Sequence, residues 1–253
     1  MPTLSILIPS FNDERIFRAI HSLEGREEQR VQIVVQDAGS KPELIDRIKS
    51  CLDGQTDKLI VESDEGIFDG INKGIKNCDG EFILTIGSDD VCPLELITSF
   101  LEVDDNQDLT LYNVKMFDKN GVVRRFWPAS PFSRMRYRLG IQYPHFGMIL
   151  RSSIYHEIGL FNHHNKINAD YEFFDNLTKK ENLRTRRDTN NSIYMQLGGT
   201  STENGWRVLQ HQRLILKYIL MNSPDLVPAI FLKWFYKLNQ VYLARRIHEK
   251  VPF

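Results

Sequence analysis

The chain of 253 residues is poor in cysteine: Cys51, Cys78 and Cys92 are an odd number, far apart, with neither metal-ligand spacing nor a disulfide framework. Reduced and mostly buried thiols are the expectation. Excess charge is also missing, since 32 Lys and Arg nearly balance 33 Asp and Glu for a net charge of -1. No global basic field exists to hold nucleic acid by counterion release, so an anionic ligand has to be held locally. A run of about eighteen apolar residues is absent, which excludes a bilayer-spanning helix. The opening Met1-Pro-Thr-Leu-Ser-Ile-Leu-Ile8 shows no basic leader or small-residue cleavage site and reads as the first strand of a cytosolic protein. Internal repeats, low-complexity tracts, His/Cys clusters for zinc, a Walker-type phosphate loop and a GxSxG elbow are lacking too.

What is there has the composition of a soluble globular protein, with 42% hydrophobic and 26% charged residues, long enough for one large α/β domain. Short apolar runs alternate with amphipathic segments over the first hundred residues, as βαβ units around a parallel sheet do. Strands are expected at Leu4 to Ile8, Val31 to Gln36, Leu59 to Val61 and Phe82 to Ile86. Asn12 or Asp13 can cap a first helix with Ile16, Ile20 and Leu23 on its apolar face; Pro42 opens a second, and Ile67, Ile71 and Ile75 mark a third. Further on, Leu109 to Phe117, the turn Asp118-Lys-Asn-Gly121 and Val122 to Phe126 predict an antiparallel hairpin, so the sheet is mixed. Phe146 to Leu150 is another candidate strand, a helix is expected from Asp170 through Leu177, and the chain reads as helical after Gly198-Gly199. The expected division is residues 1–203 as the catalytic unit, with halves 1–105 and 106–203, followed by a helical extension over 204–253.

Ligands of open α/β sheets sit beyond the carboxyl ends of the strands. Polar motifs recur there: Pro9-Ser-Phe-Asn12, Asp37-Ala-Gly-Ser40, Glu62-Ser-Asp-Glu-Gly66 and Ser88-Asp-Asp90. Glu62, Asp64, Asp89 and Asp90 would repel one another unless a cation or a basic partner sits among them. Magnesium or manganese takes one or two carboxylates and fills its other sites with waters and substrate phosphates, so a short acidic turn suffices for a diphosphate ligand and its departure as a leaving group.

At this point the chain resembles the family 2 glycosyltransferases, inverting enzymes of the GT-A fold. The likeness is carried by Leu4-Ser-Ile-Leu-Ile-Pro-Ser-Phe-Asn12, Val34-Val-Gln-Asp-Ala-Gly-Ser40, and Glu62-Ser-Asp-Glu-Gly-Ile-Phe-Asp-Gly-Ile-Asn-Lys-Gly74. It extends to Gly80-Glu-Phe-Ile-Leu-Thr-Ile-Gly-Ser-Asp-Asp90 in the place of the DXD motif, with Ser88 at its first aspartate, and to His145-Phe-Gly-Met-Ile-Leu-Arg151 and Ile167-Asn-Ala-Asp-Tyr-Glu172. The resemblance implies a Rossmann-like mixed sheet flanked by helices. It also implies a nucleoside pocket lined by Pro9, Ser10 and Asn12, and an Asp37 that accepts from the uracil imide of a UDP-sugar. Cytosine lacks that N–H, and an Asx-turn is the other reading of Asp37. Asp90 would ligate Mn2+ or Mg2+ and Asp89 would contact ribose or sugar. Asp170, rather than Glu172, would be the base that deprotonates the acceptor hydroxyl, although aspartate is also a favoured helix cap. His145 either reaches the metal or the diphosphate or is structural. Asp69, Asn72 and Lys73 either line the donor site or stabilise their helix. Arg124, Arg125, Arg134, Arg136, Arg138 and, further along, Arg151 suit phosphates of donor or acceptor, or plain solubility.

Near the carboxyl end Val227, Ile230, Phe231, Trp234, Leu238 and Val241 recur at helical spacing, with Lys233, Lys237, Arg245, Arg246 and Lys250 around them. Such a helix either lies on an anionic membrane surface or packs against protein. The reading is a hexosyl- or N-acetylhexosaminyltransferase of bacterial surface-polysaccharide assembly, using a saccharide or lipid-diphosphate-linked acceptor. It would be cytoplasmic or peripheral on the inner face of the membrane. The alternatives are a nucleotidyltransferase, or a sugar-nucleotide-binding module without transfer.

Overall fold

The computed structural model describes residues 3–27, 30–52, 55–103, 106–165, 169–198, 205–247 and 251. The expected division at 203/204 and Lys250 lie outside the described residues. The elements in chain order are β1 Leu4–Ser10, α1 Ile16–His21, β2 Val31–Asp37, α2 Pro42–Ser50, β3 Lys58–Val61, α3 Ile67–Asn77, β4 Phe82–Thr85 and α4 Leu94–Glu102. They continue with β5 Leu109–Phe117, β6 Val123–Trp127, α5 Arg134–Arg138, β7 Met148–Arg151, α6 Ser152–Ile158, α7 Ala169–Lys179, β8 Thr185–Gln196, α8 Gly205–Asn222 and α9 Val227–Ile247.

One eight-stranded sheet runs β3-β2-β1-β4-β7-β5-β6, with β8 paired to β5. The four strands of the first half are parallel, whereas β7 enters antiparallel between β4 and β5 and β6 folds back on β5 as the expected hairpin. The mixed sheet follows from that insertion. Side chains alternate along β1 and β2, so Leu7 and Val34 face one layer while Ile6, Ile8, Ile33 and Val35 face the other. The first layer packs under α3, α7 and α8 with Ile71, Ile75, Phe173, Phe174 and Ile219. The second packs under α1, α2 and α4 with Ile16, Ile20, Leu44, Ile48, Leu96 and Ile97. Gly74 lets α3 press on the sheet, because a Cβ there would sit 2.2 Å from a Leu7 methyl.

The sequence reading passed over α4, α5, α6 and β8. The last is the instructive one: Thr185-Arg-Arg-Asp-Thr-Asn-Asn-Ser192 has no apolar alternation, yet β8 pairs in parallel with β5 through Asp188 and again from Ser192, with residues 189–191 bulged out between. A strand beside a long buried neighbour needs little hydrophobicity of its own. In α9, Gln240 and Ala244 are buried, and the Gln240 carboxamide accepts from Arg125 Nε at 2.5 Å, which fixes the helix across β6. The side chains of Ile230, Phe231, Lys233, Trp234, Lys237, Arg245 and Arg246 lie outside the described residues.

Candidate active site at the strand ends

The parallel register brings the predicted motifs to one edge. Ser10 lies opposite Asp37, and Asp37 opposite Val61. Beyond them the Ala38 N–H donates to the Ser10 carbonyl at 2.9 Å, the Glu62 N–H to the Asp37 carbonyl at 2.9 Å and the Ile86 N–H to the Leu7 carbonyl at 3.0 Å. All four loops therefore open side by side at the carboxyl ends of the strands.

Asp37 is fully buried and builds its own loop. Its Oδ1 accepts from the Gly39 and Ser40 N–H groups at 3.0 and 2.6 Å, and its Oδ2 from the Ser40 hydroxyl at 2.6 Å. This is an Asx-turn, with Gly39 supplying the left-handed backbone at φ +97. The Ser40 oxygen in turn accepts from the Asn12 N–H at 2.7 Å, and Asn12 Oδ1 from the Lys41 N–H at 3.1 Å, which ties the ends of β1 and β2 together. Pro9 and Ser10 are buried beside them.

The acidic turn after β4 is neutralised by arginines from α1 and the turn before it. Ser88 donates to Asp13 at 2.7 Å, Arg15 bridges Asp13 and Asp89 at 2.8 and 2.9 Å, and Arg18 donates to the Asp89 carbonyl and, at 2.6 Å, to Gln196. Asp90 is 1% exposed; its two oxygens accept from the Gly87 N–H at 2.8 Å and the Gln196 N–H at 3.1 Å. Burial, and then the charge of Asp89, push its carboxyl up to about 7. Burial also raises Asp89, against the pull of Arg15. A Cβ on Gly87 would stand 2.9 Å from an Asp90 oxygen and 3.1 Å from an Asp89 oxygen, so both carboxylates converge on one bare backbone carbon. That cradle of hard oxygen donors fits a magnesium- or manganese-class ion. Arg15, Arg18 and Gln196 were missed in the sequence; two arginines one helical turn apart, just after Asp13, were the available signal.

Asp170 stands in the first turn of α7, where its Oδ1 accepts from the Tyr171 N–H at 2.7 Å. Solvent reaches the residue, yet protein encloses it on enough sides that burial raises its carboxyl above the usual range. The other carboxylate of that turn, Glu172, accepts instead from Asn162 at 3.2 Å and Asn165 at 3.5 Å.

Several side chains assigned to ligands make bonds within the protein. Asn72 is buried and clasps Phe161, donating to its carbonyl at 2.7 Å and accepting from its N–H at 3.0 Å, so it holds the loop of Phe161. Lys73 lies between Glu62 at 3.0 Å and Asp69 at 3.2 Å, Asp69 accepts from the Glu65 N–H at 3.0 Å, and Asp64 from the Gly66 N–H at 2.9 Å. His145 sits against Phe161 at 4.6 Å and Phe146 at 5.3 Å, and burial takes it down to about 3; it precedes β7, whose antiparallel register brings it toward the carboxyl end of β4, and neither ring nitrogen has a hydrogen-bond partner among the described residues. Arg134 is engaged by Asp175 and by Asp225 at 2.9 Å, and Arg138 by Asp225 at 3.5 Å. Arg151 pairs opposite Phe82 at the start of β4 and binds Glu81 and Asp108, which puts it at the amino ends of the strands, across the sheet from the acidic turn. Of the arginines assigned to phosphates, Arg136 is exposed and makes no ion pair among the described residues.

A Rossmann-like mixed sheet with an acidic turn after its fourth strand defines the chain as a GT-A type protein. The family model described as "Glycosyl transferase family 2" matches residues 5–168, and the chain belongs to that family and is a glycosyltransferase. Among curated proteins it is 25% identical over 179 residues to the "PGL/p-HBAD biosynthesis glycosyltransferase" of Mycobacterium bovis, covering 68% of each chain. An "Uncharacterized glycosyltransferase" of Rickettsia felis is 26% identical over 186 residues, 68% of this chain and 31% of that one. Among solved structures, residues 1–349 of S. aureus TarS share the fold at TM-score 0.63 and 20% identity, over 93% of this chain and 72% of that one. The mannosyltransferase PcManGT of Pyrobaculum calidifontis, solved with GDP-Man and Mn2+, matches at TM-score 0.61 and 12% identity, over 96% and 74%.

Proposed function

We propose that the chain moves a sugar from a UDP-sugar to a saccharide acceptor with inversion at the anomeric carbon, Asp170 acting as general base. The observation that carries this reading is the convergence of Asp89 and Asp90 at Gly87 beyond the strand ends, with an exposed carboxylate, Asp170, in the first turn of α7. A base has to be reached by the acceptor, and the exposure of Asp170 allows that. The acceptor oxygen attacks the anomeric carbon as its proton passes to Asp170, and the UDP leaves on the opposite face. A uridine donor is supported by the TarS neighbour, which has been solved with UDP and with UDP-GlcNAc.

Asp89 and Asp90 would hold a Mn2+ or Mg2+, whose chemistry when bound is to neutralise charge on the leaving diphosphate. The loops of Asn12 and Asp37 would shape the nucleoside pocket. For the acceptor, we favour a lipid-linked saccharide met at the inner membrane surface. The support is α9, where Leu238 is 69% and Tyr242 52% exposed while Gln240 and Ala244 face inward. No described helix is long and apolar enough to cross a membrane.

The test uses purified full chain, manganese and a panel of UDP-sugars, scored for UDP release and for the anomeric configuration of the product. Asp170→Asn should bind UDP as the wild type does and lose about a hundredfold or more of its turnover. No UDP binding and no turnover with any UDP-sugar sinks the donor assignment; full activity in Asp170→Asn sinks the base.

A further inference from the structure

A second group of metal-binding side chains lies apart from the acidic turn. Glu65, in the loop before α3, and His163 and His164, in the loop before α7, place one ligand atom each within 4.8 Å of one another. The two segments are distant in sequence, and both are fixed by bonds that owe nothing to a metal. On one side, Glu65 is held through its own N–H to Asp69 at 3.0 Å, and its neighbour Gly66 through its N–H to Asp64 at 2.9 Å. On the other, Phe161 is clasped by Asn72 and stacks on Phe68 of α3 at 5.4 Å, which anchors the loop that follows beside the start of that helix. A turn closed by the Asn165 N–H on the Asn162 carbonyl at 2.9 Å then carries the two histidines at its tip, with their rings 4.1 Å apart.

Two imidazoles and one carboxylate form the donor set of zinc sites that keep an open fourth position, and they rank zinc-class ions above magnesium or manganese. The acidic turn, with oxygen donors only, has the reverse preference. The loops that hold Glu65 and Asp90 also leave the sheet at different strands, β3 and β4, which are three strand spacings apart in the sheet order, about 14 Å at the usual spacing. We propose that Glu65, His163 and His164 form a zinc-class metal site that joins the loop before α3 to the turn leading into α7. Two preformed segments meet there, so little conformational entropy opposes binding. An ion there would fix the segment from which α7, and with it Asp170, begins.

Full-length protein stripped of metal is titrated calorimetrically with zinc chloride. Wild type and Asp90→Asn should each bind one equivalent, while Glu65→Gln, His163→Asn and His164→Asn should each weaken binding by about tenfold or more, on the scale seen when metal-site groups are lost. The three side chains are at most partly buried, so circular dichroism should show the variants folded. No binding by the wild type, binding unchanged in all three site variants, or binding lost in Asp90→Asn but kept in the others overturns the proposal. These outcomes leave the glycosyl-transfer reading intact, because that reading is scored by UDP release.

Discussion

Asp90 gives a sharp test of how the acidic turn is built. Its carboxyl is nearly sealed from solvent and raised from 3.8 to about 7. A raised carboxyl means the folded chain holds the proton where the unfolded chain has released it. The stabilisation is therefore complete below pH 3.8 and is lost as pH rises through about 7, where a bare charge becomes buried. A rise of that size is linked to a total on the order of 4 kcal/mol, of which more than half should vanish between pH 5 and pH 8. Asp90→Asn keeps an acceptor for one of the two N–H groups and abolishes the titration. It should start lower by about 1–2 kcal/mol for the lost bond and then run flatter with pH. The assay is urea unfolding of both proteins at pH 5 and pH 8 without divalent metal, comparing the two pH differences so that other titrating groups cancel. Parallel pH dependences, within about 0.5 kcal/mol, would refute the claim that a buried Asp90 charge is what the turn must neutralise.

Three further outcomes separate structural from ligand roles. Arg134→Met should lower stability by about 3 kcal/mol, because it strips a partner from the fully buried Asp175, and should leave the KM for the donor unchanged; a raised KM at full stability would restore a phosphate role. Asn72→Ala should cost about 2–5 kcal/mol in urea unfolding, since both the N–H and the carbonyl of Phe161 lose their partner, and amide exchange at Phe161 should quicken. Leu238→Asp with Tyr242→Asp, both at exposed positions of α9, should reduce flotation with anionic liposomes severalfold at an unchanged melting temperature. Equal flotation removes the membrane role.

Much of the first half was legible because its signals are local. Four apolar runs ending in Pro9, Asp37, Glu62 and Ser88 specify both the strands and the end at which loops gather, since parallel strands all release their polar loops at the same edge. The second half was read less well for the opposite reason. The polar β8 is a strand because β5 offers it a backbone edge, and α5 and α6 are too short for helical spacing to show. These elements exist through contacts that no sequence window contains.

The site divides along the same line. Sequence can say that carboxylates will crowd together; it cannot say which cation answers them, because the answer is chosen by three-dimensional neighbours. Arg15 and Arg18 meet Asp89 across more than seventy residues, and Lys73 meets Glu62 from the helix that follows it. The same arithmetic of charge applies to the basic stretch around residue 134. Arg134 and Arg138 suited a phosphate in the sequence, and in the fold Asp175 and Asp225, far along the chain, lie beside them. A cluster of one sign in sequence is thus evidence that an opposite charge is needed nearby. Where that charge is supplied by the chain it can be named: the fully enclosed Asp175 is met by Arg134 and Lys179, and Asp89, with 19% of its side chain exposed, by Arg15.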